Sequence, residues 1–107
     1  MTETQTTFEI LNAWGAHPRL RLARINTGAA TIRGRLVRFG VPGTADICGL
    51  LAPTGRLVMI EVKTQTGKQR EAQLTMQRVV TAFGGLYVVA RSLADVDRAL
   101  AAVGVTR

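Results

Sequence analysis

Hydrophobic positions recur along the chain at different spacings, and each spacing predicts a different element. From about Thr7 to Gly15, Phe8, Leu11 and Trp14 fall three apart with Ile10 beside them, which predicts a short helix with one apolar side that also carries Glu9. From Leu20 to Asn26 the string LRLARIN nearly alternates apolar and basic residues, the period of a half-buried strand, and Asn26-Thr27-Gly28 signals a turn. Thr31 to Phe39, TIRGRLVRF, reads as a second basic strand, stopped by Gly40-Val41-Pro42-Gly43. Two strand-like runs, Ala45 to Leu51 and Arg56 to Lys63, flank the Pro/Gly turn Ala52 to Gly55 and predict a hairpin.

After a polar stretch, Glu71 to Phe83 carries Leu74, Met76, Val79, Val80 and Phe83 at mixed three- and four-residue spacings, an amphipathic helix stopped by Gly84-Gly85. Leu86 to Ala90, LYVVA, is a short apolar run expected to form a strand buried on both faces. Ser92 with Asp95 makes a capping-box-like start to a last helix through about Val103, ended by Gly104. The order helix, strands, hairpin, helix, strand, helix predicts one α/β domain over residues 1–107.

Composition narrows the class. With 107 residues, 47% of them hydrophobic and 20% charged, the chain has enough apolar matter for one core, which excludes a disordered tail and a disulfide scaffold. The single cysteine, Cys48, leaves no internal disulfide and no multi-thiolate zinc site, and favours a reducing compartment. No apolar run approaches the roughly 18 residues of a spanning helix, and the opening MTETQTTFEI lacks the basic and apolar regions of a signal peptide. The expectation is a cytoplasmic protein with no membrane partner.

Charge adds a partner. Lys and Arg number 14 against 7 Asp and Glu, a formal charge of +7, and twelve of the 14 are arginine. No acid lies between Glu9 and Asp46, an interval that holds Arg19, Arg21, Arg24, Arg33, Arg35 and Arg38. Guanidinium groups suit bidentate phosphate contacts, so this segment is expected to meet a polyanion, with DNA foremost. Lys68 and Arg70 are either further contacts to the DNA backbone or members of a solvated loop.

The hairpin carries the candidate chemistry. With Ala52 to Gly55 as its loop, Leu51 faces Arg56, and counting outward pairs Cys48 with Met59, Ile47 with Ile60 and Asp46 with Glu61. Directly opposed residues share a face with Cβ atoms about 4.5–5.5 Å apart, where like charges repel and should raise each other's pKa. Lys63 points to that same face. Either the three make ordinary pairs on an exposed edge, or the carboxylates hold a hard divalent ion such as Mg²⁺, leaving Lys63 for an attacking water or a scissile phosphate. Elsewhere His17 lacks a second ligand at metal spacing and suits a loop or packing role, Cys48 suits a small buried residue, and Trp14 and Phe8 suit the core better than base stacking.

The string Gly40-Val41-Pro42-Gly43-Thr44-Ala45-Asp46, followed by Glu61-Val62-Lys63 and then Gln73 on the next helix, resembles the PD-(D/E)XK nuclease superfamily, and more narrowly its VRR-NUC branch. Asp46 matches the motif aspartate, Glu61 and Lys63 the ExK pair, Gln73 the branch's helix glutamine, and Glu9 looks like the glutamate of its first helix. The "PD" is spread here over Pro42 and Asp46. The resemblance implies a restriction-endonuclease-like mixed β-sheet flanked by helices and a Mg²⁺- or Mn²⁺-dependent DNA endonuclease with no organic cofactor. It implies that Glu9, Asp46, Glu61 and the Val62 carbonyl face the metal, and that Gln73 positions Lys63 or the water. It also implies a homodimer acting on branched, flapped or four-way DNA in phage DNA processing or repair, in a host or bacterial cytoplasm. Against it stand a non-catalytic nucleic-acid-binding module on the same scaffold, whose mark would be loss of a motif residue, and a small ribosome-associated protein, for which more lysine would be expected.

Overall fold

A computed structural model of the chain describes residues 1–25, 28–39 and 41–107, with side chains except at 29, 30, 32 and 37–39. Among the described residues the elements run α1 (Glu3–Trp14), β1 (Leu20–Arg24), β2 (Gly28–Ile32), β3 (Arg35–Phe39), β4 (Ile47–Leu51), β5 (Arg56–Val62), α2 (Glu71–Ala82), β6 (Leu86–Ala90) and α3 (Leu93–Ala101). They form an α/β fold in which β1-β4-β5-β6 make a mixed sheet flanked by helices, and β2-β3 make a separate two-stranded sheet. No helix among them is long and apolar enough to cross a membrane.

Local chemistry explains where the elements begin. Helix α1 starts four residues before the predicted Thr7, because Thr2 Oγ1 accepts the Gln5 N–H at 3.1 Å while Gln5 Oε1 accepts the Thr2 N–H at 2.7 Å. The stretch Thr31 to Phe39 is not one strand. It splits at Arg33 and Gly34, with φ of 52° and 75°, a two-residue turn whose left-handed backbone matches the twist of the flanking strands. Ser92 does not cap α3 with its side chain; Asp95 Oδ2 instead reaches back to the Arg91 N–H at 2.8 Å.

The hairpin register is the one counted from the sequence, with Leu51 opposite Arg56 through Ile47 opposite Ile60. Strand β1 pairs antiparallel with β4, and β6 joins β5 in parallel after the α2 crossover. Val58, Ile60 and Val62 point into the main core with Ile10 and Trp14 of α1 and Val96 and Leu100 of α3. On the opposite face Met59, Tyr87 and Val89 pack with Val80 and Met76 of α2, so β6 lies between two helical layers as its apolar run predicts.

Trp14 is fully buried and donates from Nε1 to Asp97 Oδ1 at 2.9 Å. His17 takes the packing role expected of it, its ring 5.2 Å from that of Trp14 and its Nε2 2.8 Å from the Thr106 carbonyl. Phe8 does not join the core. It is 50% exposed, and the Arg24 guanidinium lies 5.5 Å from its ring centroid.

Candidate active site

Asp46 lies just before β4, one position past the last ladder pair of the hairpin. Main-chain bonds place it. The Ile25 N–H donates to its carbonyl at 2.7 Å, and the Val62 N–H donates to its Oδ2 at 2.8 Å. The approach to Asp46 is set by Gly43, which has φ of 85° and lies so close to the first turn of α2 that a Cβ there would sit 2.2 Å from the Ala72 carbonyl oxygen. Only glycine fits both the conformation and the space.

Alternation along β5 sends Glu61 away from the main core, toward the face that carries Met59. Glu61 is only 4% exposed, and Lys63 Nζ lies 3.8 Å from its Oε2. Burial pushes the Glu61 carboxyl up to about 8, reinforced by a hydrogen bond with Asp46 and by the charges of Asp46 and Glu3, with Lys63 pulling the other way. The raised value favours the protonated form of Glu61 near neutral pH, the form able to donate to Asp46. The opposed carboxylates expected from the register are adjacent, and burial is the larger cause of the shift.

The thiol of Cys48 is raised by burial and by the same two carboxylates, so it stays protonated. Tyr87 is pushed up to about 12, first by burial and then by Glu61, and its phenol remains a donor. The loop after Lys63 is held by Arg91, whose Nη2 donates to the Gly67 carbonyl at 2.7 Å.

Other predicted site residues are placed less directly. Gln73 Oε1 accepts the Arg70 N–H at 2.9 Å and so closes the first turn of α2, close to Gly43. Glu9 is not brought to the carboxylates: its charge acts on Arg107, and the α1 acid that acts on Glu61 is Glu3, about 9 Å away along the helix axis at 1.5 Å per residue.

Lys68 and Arg70 are exposed beside α2. Arg19 and Arg21 are partly engaged with backbone carbonyls, Arg19 Nη2 with Ala52 at 3.3 Å and Arg21 Nη1 with His17 at 3.1 Å. Arg33 and Arg35 are exposed at the β2–β3 tip, and the side chain of Arg38 lies outside the described residues. Sequence reasoning missed Glu3, Tyr87 and Arg91. The Thr2–Gln5 capping box was the available signal for Glu3; Tyr87 and Arg91 need the β5–β6 register and the path of the loop.

Two hollows, of about 500 Å³ beside Trp14 and Asp97 and about 520 Å³ along Pro42, Met76 and Val79, are lined by neither carboxylate. Among the described residues no group of three or more His, Cys, Asp or Glu side chains is arranged to hold a metal. The donors present at Asp46 and Glu61 are two carboxylates and the Val62 carbonyl. In extended backbone a residue's N–H and C=O emerge on the same edge of the strand, so the bond from Val62 N–H to Asp46 puts that carbonyl on the Asp46 side. An all-oxygen set whose two carboxylates crowd each other fits a hard divalent ion that shares the phosphate oxygens of a substrate. No protein-family model matches the chain, and no curated protein matches it.

Proposed function

We propose that the chain is a divalent-cation-dependent DNA nuclease of the VRR-NUC branch, with a restriction-endonuclease-like sheet. The observation that carries this reading is the Asp46–Glu61 pair, in which buried Glu61 is hydrogen-bonded to Asp46 and has Lys63 Nζ 3.8 Å from its carboxylate. Two acids crowded together with one lysine destabilise a fold unless a cation serves them. Mg²⁺ or Mn²⁺ bound there would neutralise charge on the scissile phosphate and acidify a water. Asp46, Glu61 and the Val62 carbonyl would hold the ion. Lys63, tethered through its N–H to the Ala90 carbonyl at 2.9 Å, orients the water for in-line attack. Gln73 supports this geometry by fixing the first turn of α2 against the Gly43 loop.

DNA reaches the site along the arginine-bearing segment. The hydrogen bond between Ile25 and Asp46 lies between β1 and β4, the strands that flank the β2–β3 arm in sequence, and Arg33 and Arg35 at the tip of that arm are exposed to meet phosphates. Branched or flapped DNA is the substrate such an arm serves, since it grips duplex away from the bond being cut. A homodimer supplies two such sites, and Leu74, Val79 and Phe83, apolar and exposed on and after α2, offer it a face.

Digestion of linear, flapped and four-way DNA with Mg²⁺, Mn²⁺ or chelator tests the reading. Cleavage that needs the ion and is lost in Asp46→Ala, Glu61→Ala and Lys63→Ala supports it. The placement of Glu9 away from the pair favours the alternative of a non-catalytic DNA-binding module, and DNA binding with no cleavage under any of these conditions would establish that alternative.

A further inference from the structure

The face of the sheet that carries Glu61 also carries Tyr87. In the parallel β5–β6 pair Met59 is beside Tyr87 and Glu61 is beside Val89, so Tyr87 is the diagonal same-face neighbour of Glu61. Such neighbours are roughly 7–8 Å apart, within reach of an aromatic side chain. Tyr87 is 8% exposed and packs with Ala45 and Val80, yet its hydroxyl has no hydrogen-bond partner among the described residues. Gln69 lies close enough to act on the phenol without forming a hydrogen bond to it, and its amide donates to Gln77 Oε1 at 3.0 Å. A buried hydroxyl without a partner weakens a fold, and phenylalanine would fill the same apolar space without that penalty.

We propose that Tyr87 is a positioning residue of the active site, its hydroxyl donating to the Glu61 carboxylate when that carboxylate turns from Asp46 to a divalent cation. The proposal rests on the nuclease reading above. A ligating carboxylate is ordinarily held by an outer hydrogen bond, and Lys63 at 3.8 Å is too far to supply a good one. The Glu61 carboxyl is hydrogen-bonded to Asp46, and the phenol on the same face makes no hydrogen bond.

The test compares the parent with Tyr87→Phe in three measurements: melting in chelator, Mn²⁺ binding by calorimetry, and kcat and KM on a cleaved DNA. Tyr87→Phe is expected to melt at or above the parent in chelator and to bind Mn²⁺ about ten- to a hundredfold more weakly. Its kcat falls at limiting Mn²⁺ while KM for DNA holds. A variant that binds Mn²⁺ as tightly as the parent overturns the proposal. So does one that melts several degrees lower in chelator, because the hydroxyl then has a partner in the cation-free fold. A parent that neither binds Mn²⁺ nor cuts DNA overturns the nuclease reading and this proposal with it, which separates the two failures.

Discussion

Asp46 Oδ2 accepts the backbone N–H of Val62 at 2.8 Å, at the point where the β4–β5 ladder has ended. One side chain thus replaces the missing ladder bond and is held against Glu61 by doing so. Removing it has a structural consequence apart from chemistry. Asp46→Ala leaves a buried N–H without an acceptor and is expected to lose about 1–3 kcal/mol in chemical denaturation with chelator present. Asp46→Asn keeps an acceptor and removes the charge beside Glu61, so it is expected to match or exceed the parent while cutting no DNA.

The Glu61 carboxyl at about 8 makes the cation-free fold pH-dependent. Its ordinary value is near 4.3, so between those values the folded chain binds a proton that the unfolded chain does not. Stability in chelator therefore falls as pH rises from about 5 to about 8, by on the order of a few kcal/mol, and levels off above. Glu61→Gln, which keeps a donor toward Asp46, is expected to show a flatter profile and to melt above the parent at pH 9. Equal slopes for the two proteins in a pH series of melting curves would remove Glu61 as the cause.

Cation binding should reverse that loss. At one hundred times its dissociation constant Mn²⁺ is expected to stabilise the parent by about 2.7 kcal/mol, measured as a rise in melting temperature, and to do much less for Asp46→Asn. Of the two α1 acids, Glu3→Gln is expected to lower the Glu61 pKa, read from the chelator pH series, and Glu9→Gln to leave it in place.

The β2–β3 tip should reveal itself in salt dependence. Arg33→Ala and Arg35→Ala are each expected to weaken DNA binding at low salt and to reduce the slope of log K against log salt by about 0.9 for each phosphate no longer neutralised. An unchanged slope in binding titrations from low to moderate salt would place the DNA elsewhere.

Gly43→Ala puts a Cβ 2.2 Å from the Ala72 carbonyl oxygen at a φ of 85°. The loop must move off α2. A loss of more than about 1 kcal/mol is expected in denaturant melts, together with loss of cleavage because Asp46 follows that loop. Gly34→Ala, with φ of 75° and open space around it, is expected to cost less and to leave cleavage intact.

The hairpin register, and with it the adjacency of Asp46 and Glu61, was legible in the sequence because a strand has a period of two and a Pro/Gly turn sets where counting begins. Helix α2 was legible for the same kind of reason, its apolar spacing and its Gly84-Gly85 stop both being local. Local signals less often weighed decided the rest of the outline: the Thr2–Gln5 cap carried α1 back to Glu3, and an Arg-Gly pair in place of the commoner Asn-Gly hid the turn that splits Thr31 to Phe39. The character of the site belongs to the tertiary structure. Burial, which no spacing measures, raises Glu61 and orphans the Tyr87 hydroxyl, and both follow from the parallel pairing of β5 with β6 across the α2 crossover. That pairing joins residues some 30 positions apart, so the sequence alone supplies the acids while the packing of α2 against the sheet supplies the burial that raises Glu61.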